Sequence, residues 1–387
     1  MRILHCCLAA FYIDNYGYQE NILPRMHKLQ GHEVRILAST ETFIDNLHIG
    51  YVKPSEYINE DGISVHRIPY VKYLPLSIAK KLRYYKGVYK ELELFKPEFI
   101  FLHDAQFMST SDVVKYLKKH PEVKVVVDGH TDYINSAHGF ISRRIMHGIL
   151  YKHCIVKLAP YVSHFYGTLP LRVEFFKNVY GTPEYKTDLL VMGADDTLVK
   201  IAKESNMRER IRSKYGISPK TVLIVSGGKF TFGKWKILNV MDAVAGLSRT
   251  YDVKLMVFGS VEENTGFKEQ FMSRCDGNTI IYVGWIQSKE TYNYFEAADL
   301  IVFPGLHSVL WEQAVGQGKP CVFNKIEGQT HIDLGGNCLF VKDGTAKEFE
   351  SVIEQGIKNI DRMKKVASEK GIPYFSYYEI AKRAVTD

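Results

Sequence analysis

The sequence lacks several features that would assign it to a specialised class of protein. No stretch approaches about 18 uninterrupted apolar residues, so we expect no transmembrane helix. The apolar start of the chain runs directly into Tyr12, Ile13 and Asp14 without a small-residue cleavage site. This start predicts a buried strand rather than a signal peptide. We also detect no short repeat and no low-complexity tract.

Cysteine and net charge are both modest. The six cysteines lie in unrelated, mostly apolar contexts, and no Cys-x-x-Cys pair or Cys/His cluster suggests zinc. Buried free thiols in a reducing compartment are the expected state. A net charge of +7, dispersed along the chain, argues against a dedicated nucleic-acid binder but tolerates an anionic membrane surface or a phosphorylated ligand. We therefore expect a cytoplasmic protein that has no nucleic-acid partner and can lie peripherally at the inner face of the cell membrane.

What the sequence does contain is an alternation of short apolar runs and helical patterns. Arg2–Leu8 reads as a strand, Gln19–Gln30 as an amphipathic helix and Glu33–Ala38 as the next strand. The further buried strands that we predict are Phe99–Leu102, Lys124–Val127, Thr221–Ser226, Lys254–Phe258, Thr279–Val283, Leu300–Phe303 and Cys321–Phe323. This order is typical of βαβ units in parallel sheets with both faces covered.

The chain is too long for one hydrophobic core, at 387 residues. The strand–helix pattern starts at Met1 and again near Thr221, and residues 181–183 and 192–196 interrupt it. We predict an α/β protein with two Rossmann-like, doubly wound domains, residues 1–195 and 196–373. A C-terminal helix at about 374–387 is expected to pack back on the first domain. Two such sheets bind ligands in a central cleft that their strand ends face.

Residues 77–96 read as a basic helix with interleaved apolar and aromatic side chains. Lys80, Lys81 and Arg83 punctuate this segment. A helix of this kind can lie on an anionic bilayer, and a solvated basic face is the alternative that the pattern leaves open.

The segment from Gly228 to Trp235 almost matches a phosphate-binding P-loop. That motif needs a Ser or Thr hydroxyl at its last position to hold Mg²⁺, and Trp235 has none. What remains is a strand-to-helix loop with two lysines, Lys229 and Lys234. Such a loop could clamp a diphosphate through point charges and backbone N–H groups, and two solvated lysines are the plainer interpretation.

The context of this loop favours the diphosphate clamp over two solvated lysines. After it come Gly284-Trp285, then Glu296-Ala297-Ala298-Asp299-Leu300, then Phe303-Pro304 and Glu312-Gln313-Ala314-Val315-Gly316-Gln317-Gly318-Lys319-Pro320. In this order and spacing the chain resembles family-4 glycosyltransferases over nearly its whole length, and Met192-Gly193-Ala194-Asp195 is similar to the interdomain segment of that family. The resemblance implies the GT-B fold and transfer of a sugar from a nucleoside diphosphate, with retention of anomeric configuration.

The resemblance also implies roles for single residues. Glu312 would bind the donor ribose, and Lys229 and Lys234 would neutralise the leaving diphosphate. His130 would contact the transferred sugar. The other residues implied at the donor are Gly17, Gly228, Gly284, Trp285, His307 and Ser308. On the acceptor side we expect His103, Asp104 and Tyr133, with His138 and Arg143-Arg144 as weaker candidates.

The chain departs from the family at two positions. Pro304 stands where the first motif glutamate belongs, eight residues before Glu312. A short deletion would instead align Pro304 with the proline of the family and leave residues 305–308 in place of the glutamate loop. In both alignments that carboxylate is missing, so His307 or a main-chain N–H would have to meet the donor sugar. Lys229 replaces an arginine, which keeps the charge but loses the bidentate fork. No Asp-x-Asp ends a strand, and we predict catalysis without a metal, because lysines and helix N-termini can stabilise the leaving group.

Taken together, the sequence predicts a retaining glycosyltransferase without a cofactor. The co-substrate is a nucleoside diphosphate-sugar, with a UDP-sugar as the expected donor, and the acceptor is a glycan or a lipid-linked glycan of cell-surface polysaccharide or glycolipid synthesis. Two alternatives stay open. One is a nucleotide-sugar epimerase of the same architecture, and the other is a non-catalytic sugar-nucleotide-binding relative that has lost its motif glutamate.

Overall fold

The computed structural model describes residues 1–44, 48–134, 136–137, 139–231, 235–263 and 266–386. They form two compact units, the first made of Met1–Val191 together with Ile380–Asp387 and the second of Met192–Glu379. The boundary that the sequence suggests, after residue 195, falls just inside the second unit.

The first unit is built on an eight-stranded sheet with the strand order β10-β9-β8-β7-β1-β2-β6-β5. All neighbours in it are parallel except β5 and β6, and β3 and β4 form a separate antiparallel pair. The strands are β1 (Arg2–Cys7), β2 (Glu33–Ser39), β3 (Glu41–Phe43), β4 (Ile49–Tyr51), β5 (Ser55–Ile58), β6 (Ser64–Ile68), β7 (Phe99–His103), β8 (Lys124–Gly129), β9 (His164–Gly167) and β10 (Thr187–Leu189).

Helices cover this sheet. They are α1 (Gln19–Leu29), α2 (Leu76–Lys81), α3 (Val88–Phe95), α4 (Thr110–Leu117), α5 (Lys152–Leu158) and α6 (Pro170–Phe175). The stretch Ser142–Tyr151 is π-helical and leads directly into α5. A large apolar cluster lies between the sheet and the helices, and Ile100, Val125 and Phe165 from three neighbouring strands are fully buried in it.

The second unit has a six-stranded, fully parallel sheet with the order β13-β12-β11-β14-β15-β16. Its strands are β11 (Val222–Phe230), β12 (Val253–Val261), β13 (Ile280–Gly284), β14 (Leu300–Phe303), β15 (Cys321–Asn324) and β16 (Cys338–Val341). Its helices are α7 (Asp196–Glu204), α8 (Met207–Lys214), α9 (Lys236–Leu247), α10 (Phe267–Met272), α11 (Thr291–Ala297), α12 (Leu310–Gly316), α13 (Ala346–Lys358), α14 (Ile360–Val366) and α15 (Ile372–Tyr374). The last helix, α16 (Tyr377–Thr386), begins in this unit and ends in the first.

The predicted α/β class with parallel sheets is confirmed, and every strand that the sequence indicated is present. In both sheets the central strands are continuous apolar runs, which is what burial on both faces requires. The strands that were not predicted have three to five residues each. Most of them, such as β9 and β10, contain no aliphatic run, whereas β16 is a short apolar run that was not predicted as a strand.

The interpretation of residues 77–96 as one basic helix is wrong. The first helix ends at Lys81 and the next begins at Val88. Between them Arg83 has a φ of 48° and Gly87 a φ of 99°, both in the left-handed region that a right-handed helix excludes. Among the described residues, no helix has the length and apolar character needed to cross a bilayer.

Candidate active site

In the first unit, polar side chains meet where β7 and β8 end. The two strands are parallel, with His103 paired to Asp128 in register. The carboxyl ends of parallel strands share one edge of the sheet, which is where such folds bind ligands. His130 follows β8 directly, and α1 begins at Gln19 close by.

Asp128 is the centre of this edge and is fully buried. Its Oδ2 accepts from Gln19 Nε2 at 2.9 Å and lies 3.2 Å from His103 Nδ1 and 3.3 Å from His130 Nε2. Its Oδ1 accepts the backbone N–H of Asp104 at 3.1 Å. A buried carboxylate stays ionised only when it is paired and hydrogen-bonded in this way. Asp128 was not among the residues predicted from the sequence.

Of the predicted residues at this edge, only His130 has a partly exposed side chain, with 25% of its surface accessible. Burial opposes its protonation, but Asp128 prevails and raises the pKa of His130 to about 9. His130 is therefore an imidazolium at neutral pH. A charged ring at a strand end is suited to donate a hydrogen bond to a ligand hydroxyl or phosphate oxygen.

The predicted acceptor-side residues occupy different environments. His103 is fully buried, with one ring nitrogen at Asp128 and the other 3.0 Å from His5 Nδ1. Asp104 is also buried, and burial raises its pKa. Tyr133 is half-buried, with its ring edge-on to Phe175. The carboxyl edge thus brings His103 and Asp104 together with His130, while Tyr133 packs on the neighbouring core.

The remaining predictions in this unit concern Gly17, His138, Arg143 and Arg144, and the two arginines are exposed on the π-helical stretch. Gly17 is half-buried in the loop between β1 and α1. His138 lies outside the described residues. Two histidines that were not predicted, His5 and His27, continue the contacts of His103 into the interior.

In the second unit, β11 ends in the predicted diphosphate loop. Gly228 has a φ of 142° and a side chain there would meet open space. At Gly259 on the neighbouring strand, a Cβ would lie 1.8 Å from the Gly228 carbonyl oxygen, so the two backbones approach as closely as only glycine allows. Lys229 is exposed beside them. Lys234 lies outside the described residues, so its predicted role is not described by the structure.

Gly284 and Trp285 end the next strand but one. Gly284 has a φ of 88°, in the left-handed region that favours glycine, and open space surrounds it. Trp285 is 69% exposed. An exposed indole at a parallel strand end offers a flat surface on which a nucleobase could stack.

Glu312 lies on α12, at the core of the predicted donor site, and is fully buried. Its Oε1 accepts from two imidazoles, His307 Nε2 at 2.7 Å and His331 Nε2 at 3.1 Å. Burial opposes ionisation, yet His307 and then His331 lower the pKa of Glu312 to about 2. The structure thus brings together His307 and Glu312, two residues that the sequence predicts for different ends of the donor, with Ser308 half-buried between them in the chain. His331 was missed, because it is far along the chain in a loop without a motif.

Two acceptors in this cluster have no hydrogen-bond partner among the described residues. They are Glu312 Oε2 and, when His331 donates through Nε2, the Nδ1 of that ring. The indole Nε1 of Trp311 is also buried without a described partner. An unpaired buried acceptor costs free energy, so such atoms mark a place where a ligand's donors can bind. The cluster can therefore accept hydrogen bonds from a polyhydroxyl ligand.

Comparison with known proteins identifies the second unit. Residues 221–359 match the family described as Glycosyl transferases group 1. Over 281 residues the chain is 26% identical to the alpha-monoglucosyldiacylglycerol synthase of Streptococcus pneumoniae, which covers 70% of this chain and 58% of that protein. Residues 221–359 are thus a group 1 glycosyltransferase domain.

Solved structures share the fold over the whole chain. The Anabaena protein HepE in complex with UDP is 14% identical, with a TM-score of 0.67 and coverage of 100% of this chain and 98% of that one. A Neisseria meningitidis UDP-GlcNAc 2-epimerase bound to UDP-GlcNAc is 11% identical, with a TM-score of 0.62 and coverage of 100% and 98%. These likenesses show the GT-B fold, and the fold alone does not separate sugar transfer from epimerisation.

Proposed function

From the premise that the chain carries a group 1 glycosyltransferase domain on a GT-B fold, we propose that it transfers a sugar from a nucleoside diphosphate-sugar to an acceptor, with retention of anomeric configuration. The observation that carries the proposal is Glu312. This carboxylate is ionised, fully buried and held at one oxygen by two histidines, while its other oxygen has no partner among the described residues. Ribose hydroxyls are donors that such an oxygen can accept.

We assign the other donor contacts by the chemistry of each position. Gly228 and Lys229 offer backbone N–H groups and a cation to the diphosphate, with Lys234 expected to add a second cation. Gly284 and Trp285 provide the surface for the nucleobase, and a UDP-sugar is the donor class we propose. His307 and Ser308 are assigned to the donor sugar, in place of the glutamate that Pro304 replaces. Gly17 is assigned to the phosphate-side loop of the first unit.

The chemistry that we propose needs stabilisation of the departing diphosphate. Cationic side chains act most strongly when negative charge develops on the leaving oxygen, so they stabilise the transition state more than the bound donor. His130 is charged at neutral pH and is assigned a hydrogen bond to the transferred sugar. No residue is assigned as a nucleophile, and we propose a metal-independent reaction.

For the acceptor we propose a lipid-linked or membrane glycolipid substrate, reached from the cytoplasmic face of a membrane. The relative from Streptococcus pneumoniae is a glucosyldiacylglycerol synthase by name. The surface of the first unit supports this choice. Leu76 and Ile78 of α2 are exposed beside Lys80 and Lys81, at the start of the segment 77–96 that the sequence indicated. His103, Asp104 and Tyr133 remain the proposed acceptor-side residues.

A second exposed apolar stripe lies on the π-helical stretch and α5. Ile141, Ile145, Ile149 and Val156 are between 45% and 68% exposed. No acidic residue occurs between Asp132 and Glu174, whereas Arg143, Arg144, Lys152 and Lys157 all lie in that interval. Apolar side chains that are surrounded by basic residues, without acidic ones nearby in the chain, are suited to insertion at the interface of an anionic bilayer. Tyr151 Oη contacts the Lys81 carbonyl oxygen, so the stripe and α2 are neighbours.

Transfer of a radiolabelled sugar from UDP-sugars to a lipid extract tests the proposed function. We expect labelled product in the organic phase, and anomeric analysis of that product should show the configuration of the donor. Formation of a free or nucleotide-bound epimer without acceptor would indicate an epimerase instead. Donor binding without either product would indicate the non-catalytic alternative.

A further inference from the structure

Three buried histidines extend inward from the site in the first unit. His27, His5 and His103, which we name the histidine relay, are each without solvent exposure. His27 Nδ1 lies 2.9 Å from His5 Nε2, and His5 Nδ1 lies 3.0 Å from His103 Nε2. The inner end of the relay is the Ala381 carbonyl oxygen, 2.9 Å from His27 Nε2, and the outer end is Asp128 Oδ2, 3.2 Å from His103 Nδ1.

The Ala381 carbonyl fixes the direction of these hydrogen bonds. A carbonyl only accepts, so His27 must donate through Nε2. A neutral His27 then accepts at Nδ1, which requires His5 to donate through Nε2. By the same step a neutral His5 accepts at Nδ1 from His103 Nε2. Because the carboxylate of Asp128 also accepts, His103 must donate through its second nitrogen as well.

Counting protons shows that three neutral rings are not enough. The relay makes four contacts, each of which needs one proton, and three neutral imidazoles carry one each. The fourth proton belongs on His103 or on Asp128. Gln19 and the backbone N–H of Asp104 both donate to that carboxylate, which stabilises its ionised form. Although burial opposes ionisation, His130 and His103 hold the pKa of Asp128 below its usual range.

The inner two rings are the neutral ones. Burial, followed by the neighbouring rings His27 and His103, lowers the pKa of His5. Burial lowers the pKa of His27 to about 4, against the opposing effect of its bond to the Ala381 carbonyl. The surplus proton therefore resides at the outer end of the relay, next to the carboxylate.

We propose that the histidine relay holds one proton more than three neutral rings, that this proton sits on His103, and that the resulting charge sets the protonation and ring orientation of His130 through Asp128. The relay residues are positioning residues, because they act on His130 through the shared carboxylate. The proposal rests on the proposed function only where it assigns His130 to the sugar.

Other charged groups also face the outer end of the relay. Glu20 lies on α1 with a carboxylate oxygen within 4.8 Å of ring nitrogens of both His103 and His130. The charges of Asp104 and Arg172 also act on His130, and that of His32 acts on His27. These groups stay in place when His27 is replaced, so a change of the relay can be separated from their effects.

Replacement of His27 by leucine should release the surplus proton, because it removes the nitrogen that accepts from His5. Without an acceptor at residue 27, His5 can donate through Nδ1 to His103 Nε2, and His103 can donate through Nδ1 to Asp128. All rings are then neutral. Asp128 is left with His130 as its one histidinium neighbour, and loss of a cation so close should raise the pKa of His130 by about one pH unit.

The experiment compares His27→Leu with His27→Gln in the full-length chain, using ¹⁵N-histidine NMR between pH 5 and 10. The leucine removes both hydrogen bonds, whereas the glutamine amide can donate to the Ala381 carbonyl and accept from His5. In wild type we expect both ring nitrogens of His103 to be protonated at neutral pH. His27→Leu should lose one of these protons and raise the pKa of His130, and His27→Gln should keep both near wild type.

The matched control is His66→Leu. His66 is a buried histidine of the same unit that bonds to a carboxylate, Glu91, at 2.8 Å, outside the relay. This substitution should lower the free energy of unfolding by a comparable amount and leave the pKa of His130 unchanged. A singly protonated His103 in wild type would overturn the proposal, and this measurement needs no variant to fold. An unchanged pKa of His130 in folded His27→Leu would overturn it equally.

The pH profile of kcat separates this proposal from the proposed function. If His130 serves the sugar, the alkaline limb of the profile should move up in His27→Leu together with the NMR pKa. Should the NMR change occur without a change in the profile, the relay stands and the assignment of His130 to the sugar fails.

Discussion

At the scale of single residues, Glu312 is the most direct test of the donor site. Glu312→Gln keeps the shape but removes the charge, so donor and free UDP should both bind more weakly by about 1.5–3 kcal/mol. Calorimetric titration measures both affinities. Glu354→Gln is the matched control, since that carboxylate is paired with Lys358 on the surface of the same unit. Unchanged UDP affinity in Glu312→Gln would remove Glu312 from the donor site.

His307 should separate the two ends of the donor. We assign it to the sugar, so His307→Ala should weaken binding of the UDP-sugar more than binding of UDP. The variant also removes one of the two donors that hold Glu312, at 2.7 Å. Equal losses for both ligands would show that His307 acts only by positioning the carboxylate.

The charge of His130 makes the stability of the protein depend on pH. Its pKa is raised from 6.5 to about 9 in the folded chain, so its contribution is complete below pH 6.5 and is lost as pH rises towards 9. Wild type should lose about 1–3 kcal/mol of unfolding free energy across that interval relative to His130→Gln. Urea unfolding at both pH values measures the difference, with the exposed His153→Gln as control. Parallel pH dependence of wild type and His130→Gln would refute this charge state.

The sequence identified single residues where a motif carried them, and missed those that only the tertiary fold brings together. Glu312 and His130 stood in recognisable segments. Asp128, His5, His27 and His331 belong to the same clusters, but their partners are distant in the chain. No local pattern distinguishes such a histidine from an isolated core residue, so the clusters could not be predicted without the fold.

At the scale of elements, strands were easier to predict than helix boundaries. The central parallel strands are continuous apolar runs, and each run that we predicted as a strand is a strand in the structure. The helix proposed for 77–96 failed because a basic, aromatic-rich pattern does not reveal that Arg83 adopts a left-handed backbone conformation. Tertiary contacts override local propensity at such a position.

The exposed stripe on the π-helical stretch gives a prediction at this scale. Ile145→Asn combined with Ile149→Asn should weaken binding to vesicles that contain anionic lipid, because each apolar side chain contributes up to about 1.5–3 kcal/mol when buried. Vesicle co-sedimentation measures the change. Met272→Asn, at a residue 43% exposed in the second unit, is the control. If neutral and anionic vesicles bind the wild type equally, the basic residues around the stripe do not contribute to membrane binding.

Basic residues at the end of α2 and just after it test the neighbouring segment separately. Replacing Lys80, Lys81 and Arg83 with Gln should weaken anionic-vesicle binding by about 1 kcal/mol per charge and leave activity on a short water-soluble acceptor intact. Loss of that soluble activity would instead place these residues near the acceptor itself. The two sets of variants together show which of the adjoining surfaces carries the binding.

At the scale of the whole molecule, the architecture followed from the order of the elements. Two series of strand–helix units predict two parallel sheets, because each series needs its own core. The chemistry did not follow from the fold, since a glycosyltransferase domain and an epimerase share it. We expect the two activities to differ in the charge at the leaving group and in the nature of the acceptor, so the roles that we propose for side chains such as Lys229 and His130 need direct tests.

The proposed absence of a metal is the last prediction and concerns the reaction as a whole. Activity should survive EDTA nearly unchanged, because we assign the neutralisation of the leaving diphosphate to lysine side chains and not to a metal. The trio of His307, Glu312 and His331 makes this a demanding test, since its three ligand atoms lie within 4.8 Å of one another and are of types that bind divalent ions. Assays with and without EDTA, followed by added Mg²⁺, Mn²⁺ or Zn²⁺, measure the effect, and thermal unfolding under the same conditions reports a structural ion. Activity lost on chelation and restored by one of these ions would assign the neutralisation of the diphosphate to a metal instead of the side chains.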